Sequence, residues 1–305
     1  MGLGTLILEL VAPVMEFISP LMPGEVFPAF FFEMGIGQRA FLAAIFVTIV
    51  SGFLGSFLLI RNLALIGDGL AHVSFGGVAV GIVLGAAAPL WYALVFSVIA
   101  AILIHELQTR ELLTGDASIA IFLTGMLALG LVILRVFGGG ITADIEGYLF
   151  GNLLLIDPES LDLIASISIV SLTVLVAMRP ILLATTIDPL AASVQGLPVR
   201  VIGLLFSIIT ACVVVSMVQV VGTLLVTALL VTPAATAQLV CRSFRSCLIW
   251  TQFFGLVTVI LGLYFSAELG SGSGSMIALV AAMIFALVAI LQALRRLLKP
   301  EANLN

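Results

Sequence analysis

Apolar residues fill the chain in long runs, and charged residues are confined to short stretches between them. About 20 apolar residues cross a bilayer once as a helix, so each run of that length is a candidate span. The candidate spans are 39–60, 65–86, 89–107, 117–137, 160–178, 199–219, 222–241, 247–266 and 275–294. The pattern predicts an all-α polytopic membrane protein with about nine transmembrane helices.

Two apolar segments do not fit this series. Residues 1–38 are interrupted by Glu9, Glu16 and four prolines, and we predict an interfacial helix with an extended approach, or else one weak extra span. The segment Tyr148–Ile156 is too short to cross and predicts a re-entrant half-helix. The predicted organisation is an N-terminal interfacial segment 1–38, a transmembrane domain 39–294 and a cytoplasmic tail 295–305.

The composition agrees with a membrane protein. Hydrophobic residues make up 62% of the chain and charged residues 9%, against about 45–50% and about 25% in soluble domains. The net charge is −5, and no basic patch is present that could bind nucleic acid. No Lys or Arg precedes Arg39, so no cleavable signal peptide is expected.

The basic residues set the orientation. With the C-terminus in the cytoplasm, nine of the eleven Lys and Arg residues fall inside, which satisfies the positive-inside rule. Ten of the sixteen carboxylates then lie on the outer face: Glu9, Glu16, Glu25, Glu33, Asp144, Glu146, Asp157, Glu159, Asp162 and Glu268. These carboxylates either belong to ordinary solvated loops, or form an entrance that attracts cations, or form a docking surface for an outer partner.

Two ionisable residues, Asp68 and His72, lie inside the second predicted span. Residues four apart share one helix face, with Cβ atoms about 5–6 Å apart, and charges inside a span are usually functional. A carboxylate and an imidazole at this spacing can chelate a divalent transition metal such as zinc, manganese or iron. We predict a metal contact; the alternative is a buried Asp–His hydrogen bond that only holds helices together.

Glycines and a proline mark two further features of the spans. Gly77, Gly81 and Gly85 repeat every fourth residue, which predicts a ridge for close helix packing. Pro233 should kink the seventh span, and a kink near the midplane suits a gated pathway. Thr232 or Thr236 could satisfy the carbonyls that the kink frees.

The longest cytoplasmic connection, Arg179–Val199, should contain a short surface helix. Asp188 can cap it, with Pro189 at its first position, and Gly196 can end it. A plain connector would be shorter, so a helix here indicates that another protein docks on it.

Signatures of catalysis and of a disulfide framework are missing. His105 and Glu106 are followed by Thr109 and not by the second histidine of HExxH, and GxSxG does not occur in register. The three cysteines form no CxxC pair and are expected to be apolar fillers, not a disulfide or zinc site. A membrane-embedded hydrolase is therefore disfavoured.

The chain cannot hydrolyse ATP through a phosphate-binding GxxxxGK[ST] loop. Its only lysine is Lys299, near the C-terminus. Energy for uphill transport must come from a partner ATPase or an ion gradient. Gradient-driven carriers often contain inverted repeats, and no repeat of the Asp68–His72 segment is evident, which favours an ATPase partner.

Four motifs together resemble the membrane permease subunit of bacterial ABC importers for zinc, manganese and iron, the ABC-3 type. The resemblance runs from about Gln38 to Leu294. It is concentrated in Gly55-Ser56-Phe57, Arg61–Gly77, Asp144–Gly151 and Val221–Ala237.

The resemblance implies a type II ABC importer permease bundle in the bacterial cytoplasmic membrane, acting as a transport subunit and not an enzyme. It implies a homodimer, cytoplasmic ATPase subunits and an outer metal-binding capture protein, with a transported divalent metal and no tightly bound cofactor. Asp68 and His72 match the family's proposed metal contacts. The coupling helix corresponds to about 188–197, with Asp188, Pro189, Ala192 and Gly196 assigned to ATPase coupling.

The sequence departs from the family pattern at two places and leaves rival functions open. Asn152 stands where the family often has an acidic residue, and the outer turn carries Glu268 where an Asp is expected slightly later. The rivals are an ABC permease for a metal chelate, such as a siderophore or cobalamin, and an ion-coupled secondary metal transporter. A chelate needs a wide, neutral path, so the Asp–His pair counts against the first rival.

Overall fold

The computed structural model describes residues 2–86, 88–138, 143–153 and 156–298, and these residues form helices and turns without a strand. The side chains of Asp144 and Glu146, and the whole of Lys299, lie outside the description. The α-helices are α1 (Leu3–Ile18), α2 (Val26–Pro28), α3 (Gly35–Ile60), α4 (Ile66–Val83), α5 (Pro89–Thr109), α6 (Gly115–Phe137), α7 (Ala143–Phe150), α8 (Pro158–Ile187), α9 (Pro189–Val194), α10 (Val199–Val221), α11 (Val226–Leu230), α12 (Thr232–Val240), α13 (Phe244–Leu269) and α14 (Ser273–Leu298).

Nine helical segments among the described residues are long and apolar enough to cross a membrane. The number of candidate spans agrees with the prediction, but one predicted span is replaced by another. The segment Leu3–Leu21 meets the criterion, whereas the predicted span 222–241 is divided into α11 and α12. The interfacial assignment of residues 1–38 stays a prediction at this point.

One predicted boundary is wrong, and a second segment is described only in part. Helix α8 does not end near residue 178 but continues through Pro180 to Ile187, so the cytoplasmic connection is shorter than expected. Within the described part of Tyr148–Ile156, the first three residues belong to α7, which ends at Phe150, and Gly151 then takes a positive φ of 80°; residues 154–155 of the predicted half-helix lie outside the described residues. The backbone N–H groups of Thr223 and Leu224 instead donate to the carbonyls that end α7.

The bundle has two distinguishable ends. Helices α3 and α8 pack side by side and run in the same direction, since Arg61 at the end of α3 donates to Thr185 and Thr186 at the end of α8. We call the end that carries Arg61 the inner end, in accord with the positive-inside rule, and the opposite end the outer end. The helices α3, α4 and α10 form the buried centre, and α6 and α14 lie at the periphery.

Close packing of α4 against α5 depends on two glycines. A Cβ added to Gly77 would lie 2.8 Å from the backbone of Tyr92 and Ala93, and one added to Gly81 would lie 3.1 Å from Pro89. Gly85 does not continue this ridge, contrary to the prediction. It lies beyond the end of α4 with a φ of 69°, and no atom lies within 4 Å of its added Cβ. Its role is to end the helix, where a left-handed residue is needed.

Cys241 and Cys247 form a disulfide at the turn between α12 and α13, with Cα atoms 5.0 Å apart. The expectation that the cysteines are unpaired fillers is therefore wrong for these two residues. It holds for Cys212, which is free. The sequence spacing of the two cysteines did not predict the disulfide, because they come together only where the chain reverses between the two helices.

Several outer carboxylates accept hydrogen bonds within the protein. Asp157 accepts from Ser160 N–H at the start of α8, and Glu268 accepts from the N–H groups of Val26 and Phe27 at the start of α2. Capping of helix starts explains these two acidic residues without a cation. The acidic outer face is thus partly structural.

Candidate functional site

The predicted metal pair lies near the inner end of α4. Helix α4 begins at Ile66, directly after the turn that closes α3, and Asp68 lies in its first turn. The unpaired N–H groups at a helix start favour a negative charge there. His72 follows one turn later and is buried, with its side chain 7% exposed against 28% for Asp68.

Hydrogen bonding fixes the orientation of the imidazole. Nδ1 of His72 lies 2.9 Å from the backbone carbonyl oxygen of Asp68 and 3.7 Å from its carboxylate Oδ1. A carbonyl can only accept, so Nδ1 carries the proton in the neutral ring and Nε2 keeps its lone pair. In the described part of the chain, the ring makes no other hydrogen bond. This is the arrangement in which imidazole binds a metal through Nε2.

Asp68 opens toward the surface of the protomer. Every residue from Ile66 to Ala79 is buried except Asp68. Its neighbour Gly67 packs on Leu230 of α11, and Gly69 packs on Ile119 of α6. Successive helical residues are turned by about 100°, so Asp68 faces the gap between α11 and α6. An ion could reach the pair through this gap.

The two predicted metal contacts have no third ligand nearby within the ranges that the structure describes. Among the described residues, no group of three or more His, Cys, Asp or Glu could hold a metal ion. Asp68 and His72 would offer one carboxylate and one imidazole nitrogen. Such a partial set suits an ion that is bound and then released, because a transported ion must leave again.

The broken helix beside the pair differs from the predicted kink. Helices α11 and α12 meet at Val231, and Pro233 is the second residue of α12, where its missing N–H costs no intrahelical hydrogen bond. The carbonyl oxygen of Leu230 lies against Gly55 of α3, so closely that a Cβ on Gly55 would overlap it. Thr236 Oγ1 donates to the carbonyl of Thr232 on its own helix, which is not the carbonyl that Pro233 leaves without an N–H partner, so the predicted role of Thr232 or Thr236 stays a prediction. A gating role of Pro233 stays a prediction.

The short helix expected over 188–197 is present as α9. The Asp188 carboxylate accepts from Ala191 N–H at 2.9 Å, Pro189 occupies the first turn, and Gly196 takes a positive φ of 84° after the helix end. Ala192 faces the bundle and is 2% exposed. The opposite face is apolar and uncovered in this chain: Leu190 is 79% and Val194 87% exposed.

Arg61 links this inner surface to the helix of Asp68 and His72, and its side-chain partners could not be predicted from the sequence. Its guanidinium donates to Thr185 and Thr186, two to three residues before α9 is capped by Asp188, and lies 4.5 Å from the ring centre of Phe206. Burial lowers the pKa of Arg61 from its ordinary value, although an arginine stays charged. Arg61 belongs to the turn that leads into α4, so one side chain connects the end of α8 with the helix that carries Asp68.

A second polar contact joins α5 to α10 at the inner end. The carboxylate of Glu106 pairs with Arg110 on its own helix and with Arg200 at the start of α10, and His105 Nε2 lies 3.1 Å from the Arg200 carbonyl oxygen. His105 and Glu106 therefore have structural partners, which agrees with the absence of a protease signature.

Comparison with known proteins identifies relatives over most of the chain. The ABC 3 transport family matches residues 34–292. The manganese transport system membrane protein MntC of Halalkalibacterium halodurans is 34% identical over 263 residues, covering 85% of this chain and 89% of that protein. The manganese import system permease protein ScaB of Streptococcus parasanguinis is 33% identical over 249 residues, covering 81% and 88%.

Solved structures share the fold. PsaBC from Streptococcus pneumoniae, in complex with a Fab, is 32% identical with a TM-score of 0.76, covering 86% of this chain and 94% of that chain. A metal-chelate type ABC transporter in an inward-facing conformation has a TM-score of 0.66 at 16% identity, covering 93% and 97%, and this likeness concerns the fold alone.

The helices, the motifs and the family match agree on one class of protein. The relatives are multi-pass membrane subunits of bacterial importers, and the match extends from the start of α3 into α14. The chain therefore belongs to the ABC 3 transport family and is a permease of a metal-importing ABC transporter in the bacterial cytoplasmic membrane, a transport subunit and not an enzyme.

Proposed function

We propose that this chain forms the translocation pathway for manganese(II), with Asp68 and His72 as the contacts for the ion. The observation that carries the proposal is the pair itself, in which the buried His72 turns Nδ1 toward the Asp68 carbonyl and leaves Nε2 for a metal beside the partly exposed Asp68 carboxylate. A carboxylate oxygen suits manganese and an imidazole nitrogen suits divalent first-row metals, whereas the thiolate ligands that select zinc or copper are not part of this pair. The MntC and ScaB relatives, which are manganese transport proteins by name, support this choice of metal.

A homodimer would complete the site. Two copies related by a two-fold axis would bring two Asp68–His72 pairs to one path, and a divalent ion would then find four protein ligands. The partly exposed Asp68 carboxylate is the group that such a partner could reach. Affinity should stay modest, because a conducting site must also release its ion.

The ATPase would dock on α9. The exposed apolar residues Ile187, Leu190 and Val194 lie on and beside a short rigid helix, and a helix with an apolar face is recognised by a groove on its partner. Asp188, Pro189 and Gly196 set the ends of this helix, and Ala192 anchors it on the bundle. Closure of the ATPase would move α9 and switch the pathway between outward and inward access.

A capture protein would deliver the ion at the outer end. A cavity of about 540 Å³ opens there between α7, the turn after α13 and residues 26–31, and Phe30, Phe150 and Ser271 are among its lining residues. Docking over this cavity would place the ion above the pathway.

Uptake of radiolabelled manganese and zinc by cells that express the whole transporter tests the proposal. Wild type is compared with the double variant Asp68→Ala/His72→Ala and with Ser74→Ala as a control. Ser74 lies on the same helix, is buried, and its hydroxyl has no hydrogen-bond partner in the described structure, so its loss should leave uptake unchanged. We expect manganese to accumulate in wild type and in the control but not in the double variant.

Each of the other possible outcomes rejects a different part of the proposal. Uptake unaffected by the double substitution rejects the site, and preferential accumulation of zinc rejects the metal. Accumulation of an iron chelate alone favours a chelate permease. Uptake that persists in a strain lacking the cognate ATPase favours an ion-coupled carrier.

A further inference from the structure

Helix α1 precedes the part of the chain that matches the family, which begins at residue 34. By length and hydropathy the segment Leu3–Leu21 resembles a membrane span. Its contacts with the bundle and the distribution of its polar and apolar faces do not fit a helix that crosses the membrane. We propose that residues 3–21 lie along the outer surface of the membrane, with one apolar face in the acyl chains of the outer leaflet, and do not cross the bilayer.

Both ends of α1 are fixed at the outer end of the bundle. At its start, the N–H groups of Gly2 and Thr5 donate to the Asp162 carboxylate at 3.0 and 2.7 Å, and Asp162 belongs to the first turns of α8. At its end, Ser19 Oγ donates to Glu33 at 2.7 Å, and Glu33 lies two residues before the start of α3.

The two anchoring carboxylates lie at similar heights above the inner end. Arg61 ties the inner ends of α3 and α8 together. Helix α3 has 26 residues and rises about 39 Å from there, and Asp162 lies about 35 Å above Thr185 along α8. A helix of 16 residues is about 24 Å long. If α1 crossed the bilayer, its ends would differ in height by most of that length.

Three faces of α1 meet three environments. Gly4 and Met15 are buried against the bundle, and a Cβ on Gly4 would lie 2.6 Å from the Leu161 carbonyl oxygen. A second face is apolar and exposed, with successive positions three or four residues apart, which is one helical stripe. Its members are Leu3 (49% exposed), Leu6 (57%), Leu10 (76%), Val14 (54%) and Phe17 (80%).

The third face is acidic. Glu9 and Glu16 are exposed and seven residues apart, so they share a face that is turned by about 100° from the apolar stripe. In a crossing helix, Glu9 would place a carboxylate near the middle of the bilayer and in contact with lipid, which is costly. In a helix parallel to the surface, the stripe enters the acyl chains while both carboxylates remain in water.

Thiol labelling of the whole transporter in intact cells tests this placement. Glu9→Cys and Glu16→Cys report the acidic face, and their sequence neighbours Leu10→Cys and Phe17→Cys are matched controls on the apolar stripe. The probe is a membrane-impermeant maleimide. The wild-type transporter gives the background labelling of the native cysteines. This background should be low, since Cys241 and Cys247 are disulfide-bonded at the inner end and Cys212 lies within α10.

We expect the two acidic-face variants to be labelled from outside about tenfold faster than the two stripe variants, because a thiol reacts as its thiolate and hydrocarbon suppresses ionisation. If Glu9→Cys reacts only after the cells are permeabilised, or not at all, α1 crosses the membrane and the proposal fails. Equal labelling of Leu10→Cys and Glu9→Cys would show a helix in water and also overturn it. Each substitution is at an exposed position, and elution of the variant as an intact complex shows that it has folded. The readout does not require transport, so it is independent of the proposed cargo.

Discussion

Replacing Gly77 with alanine separates the effect of close helix packing from that of helix propensity. The new Cβ would lie 2.8 Å from the Tyr92 carbonyl oxygen and the Ala93 Cα, whereas an ordinary contact begins at 3.4 Å. Both neighbours are backbone atoms, so no side chain can turn away. Helix α4 would have to move from α5 by about 0.6 Å.

The magnitude follows from a matched control. Any glycine-to-alanine change in a helix gains about 1 kcal/mol of propensity. Gly125→Ala on α6 has this gain and nothing within 4 Å of the added Cβ. Overpacking in a tight interior costs about 1–3 kcal/mol. We therefore expect Gly77→Ala to be less stable than Gly125→Ala by about 1–3 kcal/mol.

Thermal unfolding of the two purified variants in detergent measures the difference, and manganese uptake measures its effect on the pathway. Gly77→Ala should unfold at a lower temperature than Gly125→Ala and should transport more slowly, because α4 carries Asp68 and His72. Equal unfolding temperatures would refute the argument that the α4–α5 contact leaves no space for a methyl group.

Three further predictions concern the inner and outer ends. Leu190→Asp or Val194→Asp should abolish co-purification of the ATPase without lowering the unfolding temperature, because both side chains are exposed in this chain. If the ATPase is retained, it docks elsewhere. Ser193 is also exposed, and Ser193→Asp tests whether the added charge alone has the effect. Arg61→Leu should leave the ATPase bound but weaken the dependence of its rate on manganese, since the bonds to the end of α8 are lost; an unchanged dependence in an ATPase assay would contradict the link. Gly222→Ala should lower the unfolding temperature, because φ is 86° and ψ is 157° there, a conformation that costs an alanine about 1–3 kcal/mol, and because the added Cβ would overlap the backbone of Gly151; an unchanged temperature would show that the turn relaxes.

Local patterns in the sequence predicted those elements whose cause is local. The apolar runs indicated most of the long helices, and the spacing of Asp68 and His72 placed both on one face of α4. The short helix α9 followed from Asp188 and Pro189 at its start and Gly196 after its end. In each case the residues that determine the feature lie within one or two helical turns of each other.

Features that depend on distant contacts could not be predicted in this way. Arg61 donates to a hydroxyl group that is 125 residues away in the sequence. The disulfide of Cys241 and Cys247 depends on the turn between two helices. Glycine spacing alone did not distinguish Gly81, which packs on Pro89, from Gly85, which ends a helix. Pro233 was expected inside a continuous helix because the apolar run conceals the break at Val231.

The bridge formed by Arg61 has a thermodynamic consequence. If the ion favours one arrangement of α4 and the nucleotide favours one arrangement of α9, the two ligands act on a single shared equilibrium. Linkage then requires reciprocity: the factor by which nucleotide changes the affinity for manganese equals the factor by which manganese changes the affinity for nucleotide. An importer built in this way would respond to its cargo before it hydrolyses ATP, and its hydrolysis without cargo would be limited by the five-residue turn 61–65 that leads into the helix of Asp68 and His72.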